Sequence, residues 1–136
     1  MKNYLLVAIG SAAGGMLRLL LGTWFQQRLG DLVPAATAKP FPIGTLLVNI
    51  LGSFLIGVLL VLVSRNAGHA NMIQYMLIVG VCGGFTTFST FSADTVALFE
   101  TGAASLAALN IVASLACTFL ATYAGFALTR SLTGPA

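Results

Sequence analysis

The sequence predicts an all-α integral membrane protein with four transmembrane helices, the third of which is broken. Hydrophobic residues make up 58% of the 136 residues and charged residues only 7%, whereas a typical soluble domain is about 45–50% apolar and about 25% charged. The mean hydropathy is +0.99. Because each span needs about 20 mostly apolar residues, four helices use most of the chain. We therefore expect a single transmembrane domain over residues 1–136 in the cell (inner) membrane.

The first helix is predicted over residues 4–29 and carries Arg18 near its middle. A charge at the bilayer centre costs at least about 2.5–3.5 kcal/mol, so Arg18 should face protein, a partner or water. Gly10, Gly14, Arg18 and Gly22 recur every four residues and form a small-residue face that another helix can approach closely. The alternative is that the guanidinium only caps helix carbonyls.

The second helix is predicted over residues 43–64, after a hydrated, proline-containing loop over residues 30–42. Asn49 stands out in it because the surrounding residues are almost all aliphatic. An amide in the hydrocarbon either bonds to a neighbouring helix or offers its NH2 donors to a passing solute. The sequence leaves both possibilities open.

The third helix is predicted over residues 72–100 and contains the segment GGFTTFSTFS at residues 83–92. A glycine pair and several hydroxyl groups weaken a helix, so we expect a break near Gly83 and Gly84. Such a break is tolerated in a membrane only where it lines a cavity or is buried in protein. The segment therefore predicts a pore or a binding site. The alternative is that each hydroxyl bonds to the carbonyl four residues earlier while the phenylalanines face lipid.

The fourth helix is predicted over residues 103–132, with a polar stripe of Asn110, Ser114, Thr118 and Thr122. Four spans place Lys2, Arg65 and Arg130 on one side of the membrane, and Arg28 and Lys39 on the other. A clear Lys/Arg imbalance normally sets the orientation, and three charges against two provide none. We therefore expect insertion in both orientations and an antiparallel, dual-topology homodimer.

The polar residues of the spans indicate an anion path. Hydrogen-bond donors and a positive charge favour anions, and the positive edge of a benzene ring can also stabilise a small anion. A proton-coupled cation exporter needs an ionisable acid in the span, and the first, second and fourth helices contain none. Nucleophile–base pairs and metal clusters are absent from the sequence pattern, which argues against an enzyme. The candidate lining residues are Arg18, Asn49, Thr86, Thr87, Ser89, Thr90, Ser114 and Thr118, together with Phe88 and Phe91.

Three segments carry a specific resemblance. GGMLR at residues 14–18, GTLLVNILGSF at 44–54 and GGFTTFSTFS at 83–92 together closely resemble the Fluc/CrcB family of fluoride channels, and the match extends over essentially the whole chain. The resemblance implies a passive fluoride channel that relieves fluoride toxicity, built as an antiparallel dimer with two pores.

The resemblance also implies roles for single residues. Phe88 and Phe91 would be the pathway phenylalanines, one from each subunit in each pore, and Asn49 would be a donor at the pore. The carbonyls of Gly83 and Thr86 from both subunits would hold a central structural Na⁺. The hydroxyl groups that would guide the ion are Ser89, Thr90 and Thr118, with Ser114 close by.

Two positions depart from the family pattern. Asp94 stands where a longer Glu is usual, and Asn110 stands where Tyr is expected. Two other functions compete with the channel, namely a small dual-topology multidrug or cation exporter and a structural membrane subunit. A carboxylate that controls transport would favour the exporter, and polar stripes used wholly in helix packing would favour the structural subunit.

Overall fold

Four long helices make up the fold. The computed structural model describes residues 1–33, 39–66 and 68–134, and contains no strand in those ranges. The helices are α1 (Lys2–Leu29), α2 (Ile43–Arg65), α3 (Ala70–Glu100) and α4 (Ala104–Thr133). Each is long enough and apolar enough to cross a membrane, which confirms the predicted all-helical class with four spans. Within the predicted loop, residues 34–38 lie outside the described residues.

The connection from α1 to α2 is fixed by a single amide. Gln26 Nε2 donates to the carbonyl of Phe41 over 3.1 Å, and the N–H of Gly44 donates to Gln26 Oε1, also over 3.1 Å. One side chain thus satisfies a donor and an acceptor at the beginning of α2, where helix N–H groups have no intrahelical partner. Phe41 and Pro42 are buried beside it.

Glycines let the helices approach each other closely. Gly10 and Gly14 of α1 face the backbone of α3, where an added Cβ on Gly14 would lie 2.8 Å from the amide nitrogen of Phe85. Gly57 of α2 and Gly125 of α4 face each other's helices in the same way. Gly10 and Gly14 of the predicted small-residue face therefore pack against α3, whereas Gly22 lies beside Gly44 of α2.

The third span is broken, as the sequence predicts, but the break lies later than expected. Residues Ile73–Cys82 form π-helical turns, and Gly83–Phe85 continue as one α-helical turn. Thr86 (φ −82°, ψ 156°) and Thr87 (φ −152°, ψ 118°) are extended, and the helix resumes over Phe88–Glu100. The glycine pair itself stays helical. Gly84 serves packing instead, because an added Cβ there would lie 2.9 Å from the Cα of Ser11.

The end of α3 packs against the start of α4. Leu98, Ala103 and Ala107 are almost completely buried and form a small apolar cluster at this corner. Gly102 makes the turn with a φ of +79°, which side chains other than glycine rarely adopt. The C-terminal end of α3 is thus packed against α4. The second half of α3 begins at Phe88, directly after the break.

Replacing Gly14 with Ala should lower the unfolding temperature in detergent, because the new methyl group meets backbone atoms of α3 that cannot rotate away. Overpacking of this kind costs about 1–3 kcal/mol. The neighbouring Gly15→Ala is the matched control, since a Cβ at Gly15 meets nothing within 4 Å. Equal unfolding temperatures for the two variants would contradict the close α1–α3 contact.

Candidate functional site

The break in α3 is held by the amide of Asn49. The Thr87 N–H donates to Asn49 Oδ1 over 2.8 Å, and Asn49 Nδ2 donates to the Thr87 carbonyl over 3.1 Å. The side chain of α2 therefore replaces two hydrogen bonds that the extended segment cannot make within a helix. Backbone groups left unpaired at membrane depth cost several kcal/mol each. Of the two possibilities left open for Asn49, bonding to a neighbouring helix is the one that the structure contains.

The side chain of Thr87 caps the second half of α3. Its Oγ1 accepts a hydrogen bond from the N–H of Thr90 over 3.1 Å, which is the usual role of an N-cap hydroxyl. The same oxygen lies 3.0 Å from Thr90 Oγ1, to which it donates, and 3.2 Å from Ser89 Oγ. The hydroxyl groups of Thr87, Ser89 and Thr90 thus cluster at the break, at the same residue whose backbone is bonded to Asn49.

A smaller cavity, of about 210 Å³, lies on one side of the break. It brings together most of the residues that the sequence singles out, from three different helices. Within it the rings of Phe88 and Phe91 are 5.4 Å apart between centroids and tilted by 49°. Phe88 is 75% exposed in the single chain. The described lining residues are Asn49, Ser53, Ile56, Thr86, Thr87, Phe88, Phe91, Ser114, Leu115 and Thr118.

A larger cavity, of about 790 Å³, lies between α1, α2 and the second half of α3 and has charged residues in its lining. Arg18, Lys39, Thr90 and Asp94 all line it. In the described part of the chain Arg18 forms no hydrogen bond or ion pair, so the capping alternative for its guanidinium finds no support. Arg18 therefore lines the cavity without being neutralised by an ion pair to a described residue.

Asp94 has two partners at this cavity. Lys39 Nζ lies 3.1 Å from Asp94 Oδ1, and Thr45 Oγ1 donates to Asp94 Oδ2 over 3.0 Å. The carboxylate joins the loop before α2, the first turn of α2 and the second half of α3. Sequence reasoning left the role of Asp94 undecided and missed Lys39 and Thr45, because these residues lie far from Asp94 along the chain and no local pattern links them.

The hydroxyl groups of the site fall into two classes. Thr86 and Ser92 donate to the carbonyls of the residues four positions earlier, as the alternative for the motif predicted. Thr118 of α4 bonds in the same way. Thr87 and Thr90 instead bond within the cluster at the break, and Ser89 joins them. Ser89 is exposed and lines neither cavity among the described residues.

Asn110 is buried and does not line either cavity. It is 1% exposed, and its Nδ2 donates to Thr95 Oγ1 over 2.8 Å. Thr95 in turn donates to the carbonyl of Phe91, and the Ser114 hydroxyl points at Asn110 Oδ1 over 3.5 Å. The residue at which the sequence departs from the expected Tyr thus ties the second half of α3 to α4 behind the smaller cavity.

The carbonyl groups of Gly83 and Thr86 flank the break. In the described ranges neither oxygen accepts a hydrogen bond, whereas the neighbouring Cys82 carbonyl accepts from both the N–H and the hydroxyl of Thr86. Gly83 is exposed and Thr86 partly so. The two oxygens are therefore available to an external partner.

Comparison with known families decides the relationship. The family described as CrcB-like protein, Camphor Resistance (CrcB), matches residues 5–126. The chain belongs to the CrcB family. Three relatives, each named fluoride-specific ion channel FluC, come from Agrobacterium fabrum (48% identical), Rhizobium meliloti (46%) and Trichlorobacter lovleyi (39%). Each alignment spans 132 residues, which is 97% of this chain and 99% of the relative. The resemblance predicted from the three motifs is confirmed, and the four spans of this CrcB-family protein make it a multi-pass cell membrane protein.

Replacing Asn49 with Leu should strongly destabilise this CrcB-family protein. The substitution keeps the number of side-chain heavy atoms and the branching at Cγ but leaves the N–H and carbonyl of Thr87 without partners, at about 1–3 kcal/mol for each unpaired group. Thermal unfolding in detergent measures the effect. Asn71→Leu is the matched control, because Asn71 is exposed and bonds only to the side chain of Asn3. If both variants unfold at the same temperature, the Asn49 pair does not support the break.

Proposed function

We propose that this protein is a passive, fluoride-selective ion channel that exports F⁻ across the cell membrane and thereby relieves fluoride toxicity. The observation that carries the proposal is the smaller cavity, in which an amide, several hydroxyl groups and two phenylalanine rings meet at a helix break. Fluoride is small and strongly hydrated, so a path must replace its water with hydrogen-bond donors. The relatives, each named fluoride-specific ion channel FluC, support fluoride as the halide.

The pathway that we propose uses the residues of both cavities. The larger cavity admits the anion from water, since Arg18 has no ion-pair partner among the described residues and its charge attracts negative ions. Asn49 then offers the second N–H of its amide, and Thr90 offers its hydroxyl. The hydroxyl groups of Ser114 and Thr118 can turn from their protein acceptors to the anion. Ser89 lines neither cavity among the described residues but adds a hydroxyl on the exposed side of the break. Phe88 and Phe91 contribute their ring edges, where the quadrupole is positive.

The contacts of the acidic side chains favour a channel over a proton-coupled exporter. The chain contains three acidic residues, and the only one lining a cavity among the described residues is Asp94. That carboxylate is held by Lys39 and Thr45. An exporter would need this group to exchange protons with its substrate, and a carboxylate with two partners is poorly suited to that role.

We further propose that two copies assemble as an antiparallel dimer with two pores. In a single chain Phe88 is 75% exposed and the smaller cavity is open on that side. A second copy would cover the rings and close the path. The balanced positive charges on the two sides of the membrane are compatible with insertion in both orientations.

A structural Na⁺ between the two copies fits the break. The Gly83 and Thr86 carbonyls have no hydrogen-bond donor in the described ranges, and hard cations prefer oxygen ligands. When bound, the ion would supply the positive partner that these oxygens lack. We expect the dimer to unfold at a higher temperature in Na⁺ than in choline at equal ionic strength, and no difference would contradict the sodium site.

The function is tested by ion efflux from liposomes that contain the purified protein. We expect fluoride to leave fluoride-loaded vesicles without a proton gradient, and chloride to stay in chloride-loaded vesicles, each followed with an ion-selective electrode. Substantial chloride efflux, or fluoride efflux that depends on a proton gradient, would contradict the channel. The absence of any fluoride efflux would favour the structural subunit.

Variants locate the pore in the same assay. Phe88→Ile should suppress fluoride efflux while the dimer stays intact in size-exclusion chromatography. Asn49→Asp should suppress efflux as well, because an aspartate cannot donate to the Thr87 carbonyl and repels an anion. Phe119→Ile is the control, because Phe119 is as exposed as Phe88 at 75% but lines neither cavity among the described residues. Efflux at the wild-type rate in both test variants would show that the pore lies on another face.

A further inference from the structure

The two cavities share one lining residue. Of the described residues, Thr87 alone lines both the larger cavity with Arg18 and the smaller cavity with the phenylalanine rings. Thr87 is only 8% exposed, and it borders both spaces. An anion that moved directly from one cavity to the other would therefore pass Thr87.

We propose that the Thr87 hydroxyl is a permeation residue that transfers the anion between the two cavities. The inference rests on the proposed channel function and adds a residue to its path. The assignment follows from the position of Thr87 between the cavities, and from the hydrogen bonds that hold its backbone in place while leaving its hydroxyl hydrogen free to turn.

The backbone of Thr87 is fixed independently of its hydroxyl. Its N–H and carbonyl are both bound by the Asn49 amide, at 2.8 Å and 3.1 Å. Rotation of the hydroxyl group about the Cβ–Oγ1 bond therefore does not disturb the main chain. The oxygen stays at the cavity boundary in every orientation of its hydrogen.

The Thr87 hydroxyl has one fixed donor, the Thr90 N–H, and two neighbouring hydroxyl groups. Oγ1 accepts from the Thr90 N–H over 3.1 Å, and this bond uses a lone pair rather than the hydroxyl hydrogen. The hydrogen points at Thr90 Oγ1 over 3.0 Å, with Ser89 Oγ a further partner at 3.2 Å. It can turn from Thr90 to an anion while the helix cap remains. The Thr90 hydroxyl, whose own hydrogen is not used in this bond, is a second donor on the side of the larger cavity.

The methyl group of Thr87 completes the boundary. A serine at this position would keep the hydroxyl and the cap but remove the methyl group, so the passage would widen without losing its donor. A valine would keep the shape and lose both the donor and the cap. An aspartate would keep a good N-cap acceptor but offer no donor and repel an anion. These three substitutions therefore separate shape, capping and hydrogen-bond donation.

The test is fluoride efflux from liposomes for Thr87→Ser, Thr87→Val and Thr87→Asp, each checked as a dimer by size-exclusion chromatography. We expect Thr87→Ser to conduct at about the wild-type rate or faster, and the other two variants to lose at least about tenfold, as expected for one lost bond to a charged group. Thr129→Val is the control for removal of a buried hydroxyl, because Thr129 bonds back to Gly125 and lines neither cavity among the described residues.

Two results would overturn the inference while leaving the channel in place. One is wild-type efflux in Thr87→Val or, if that variant fails to fold, in Thr87→Asp, whose cap is retained. The other is a loss in Thr87→Ser as large as the loss in Thr87→Val, which would show that the methyl group and not the hydroxyl matters. Absence of fluoride efflux in the wild-type protein would instead overturn the proposed function, and the role of Thr87 with it.

Discussion

The reciprocal pair between the Asn49 amide and the peptide groups of Thr87 is the interaction on which the site depends. In a helix that crosses a membrane, the backbone N–H and carbonyl groups bond to each other. A break leaves some of these groups without partners at a depth where water cannot replace them. Asn49 restores both hydrogen bonds from a neighbouring helix. The extended segment at Thr86 and Thr87 can therefore persist, and with it the polar surface that a continuous helix would not expose.

Close helix packing supplies the frame for this pair. Gly10 and Gly14 bring α1 against the first half of α3, and Gly52 of α2 lies against Thr86, where any larger side chain would collide. The second half of α3 is tied to α4 by the buried amide of Asn110 and to α2 by Asp94. The two halves of α3 thus have different neighbours, and the break lies between them.

Much of this architecture could be predicted from the sequence, since hydropathy alone gives four spans and the polar segment in the third gives a break. The position of the break could not. Glycines suggest local weakness, but Gly84 is required by the contact with Ser11, so the chain extends at Thr86 instead. The partners of Asn49 and Asp94 were also beyond sequence reasoning, because they lie 38 and 49 to 55 residues away. Residues at helical spacing, such as Ser114 and Thr118, were placed correctly on one face of α4.

Hydrogen exchange at the Thr87 amide tests the central claim most directly. The account predicts slow exchange in the wild-type protein, although Thr87 lies outside any regular helix, because its N–H is bonded to Asn49 Oδ1. Exchange at the rate of an unprotected amide would contradict it, since the break would then be open to water and not held by Asn49.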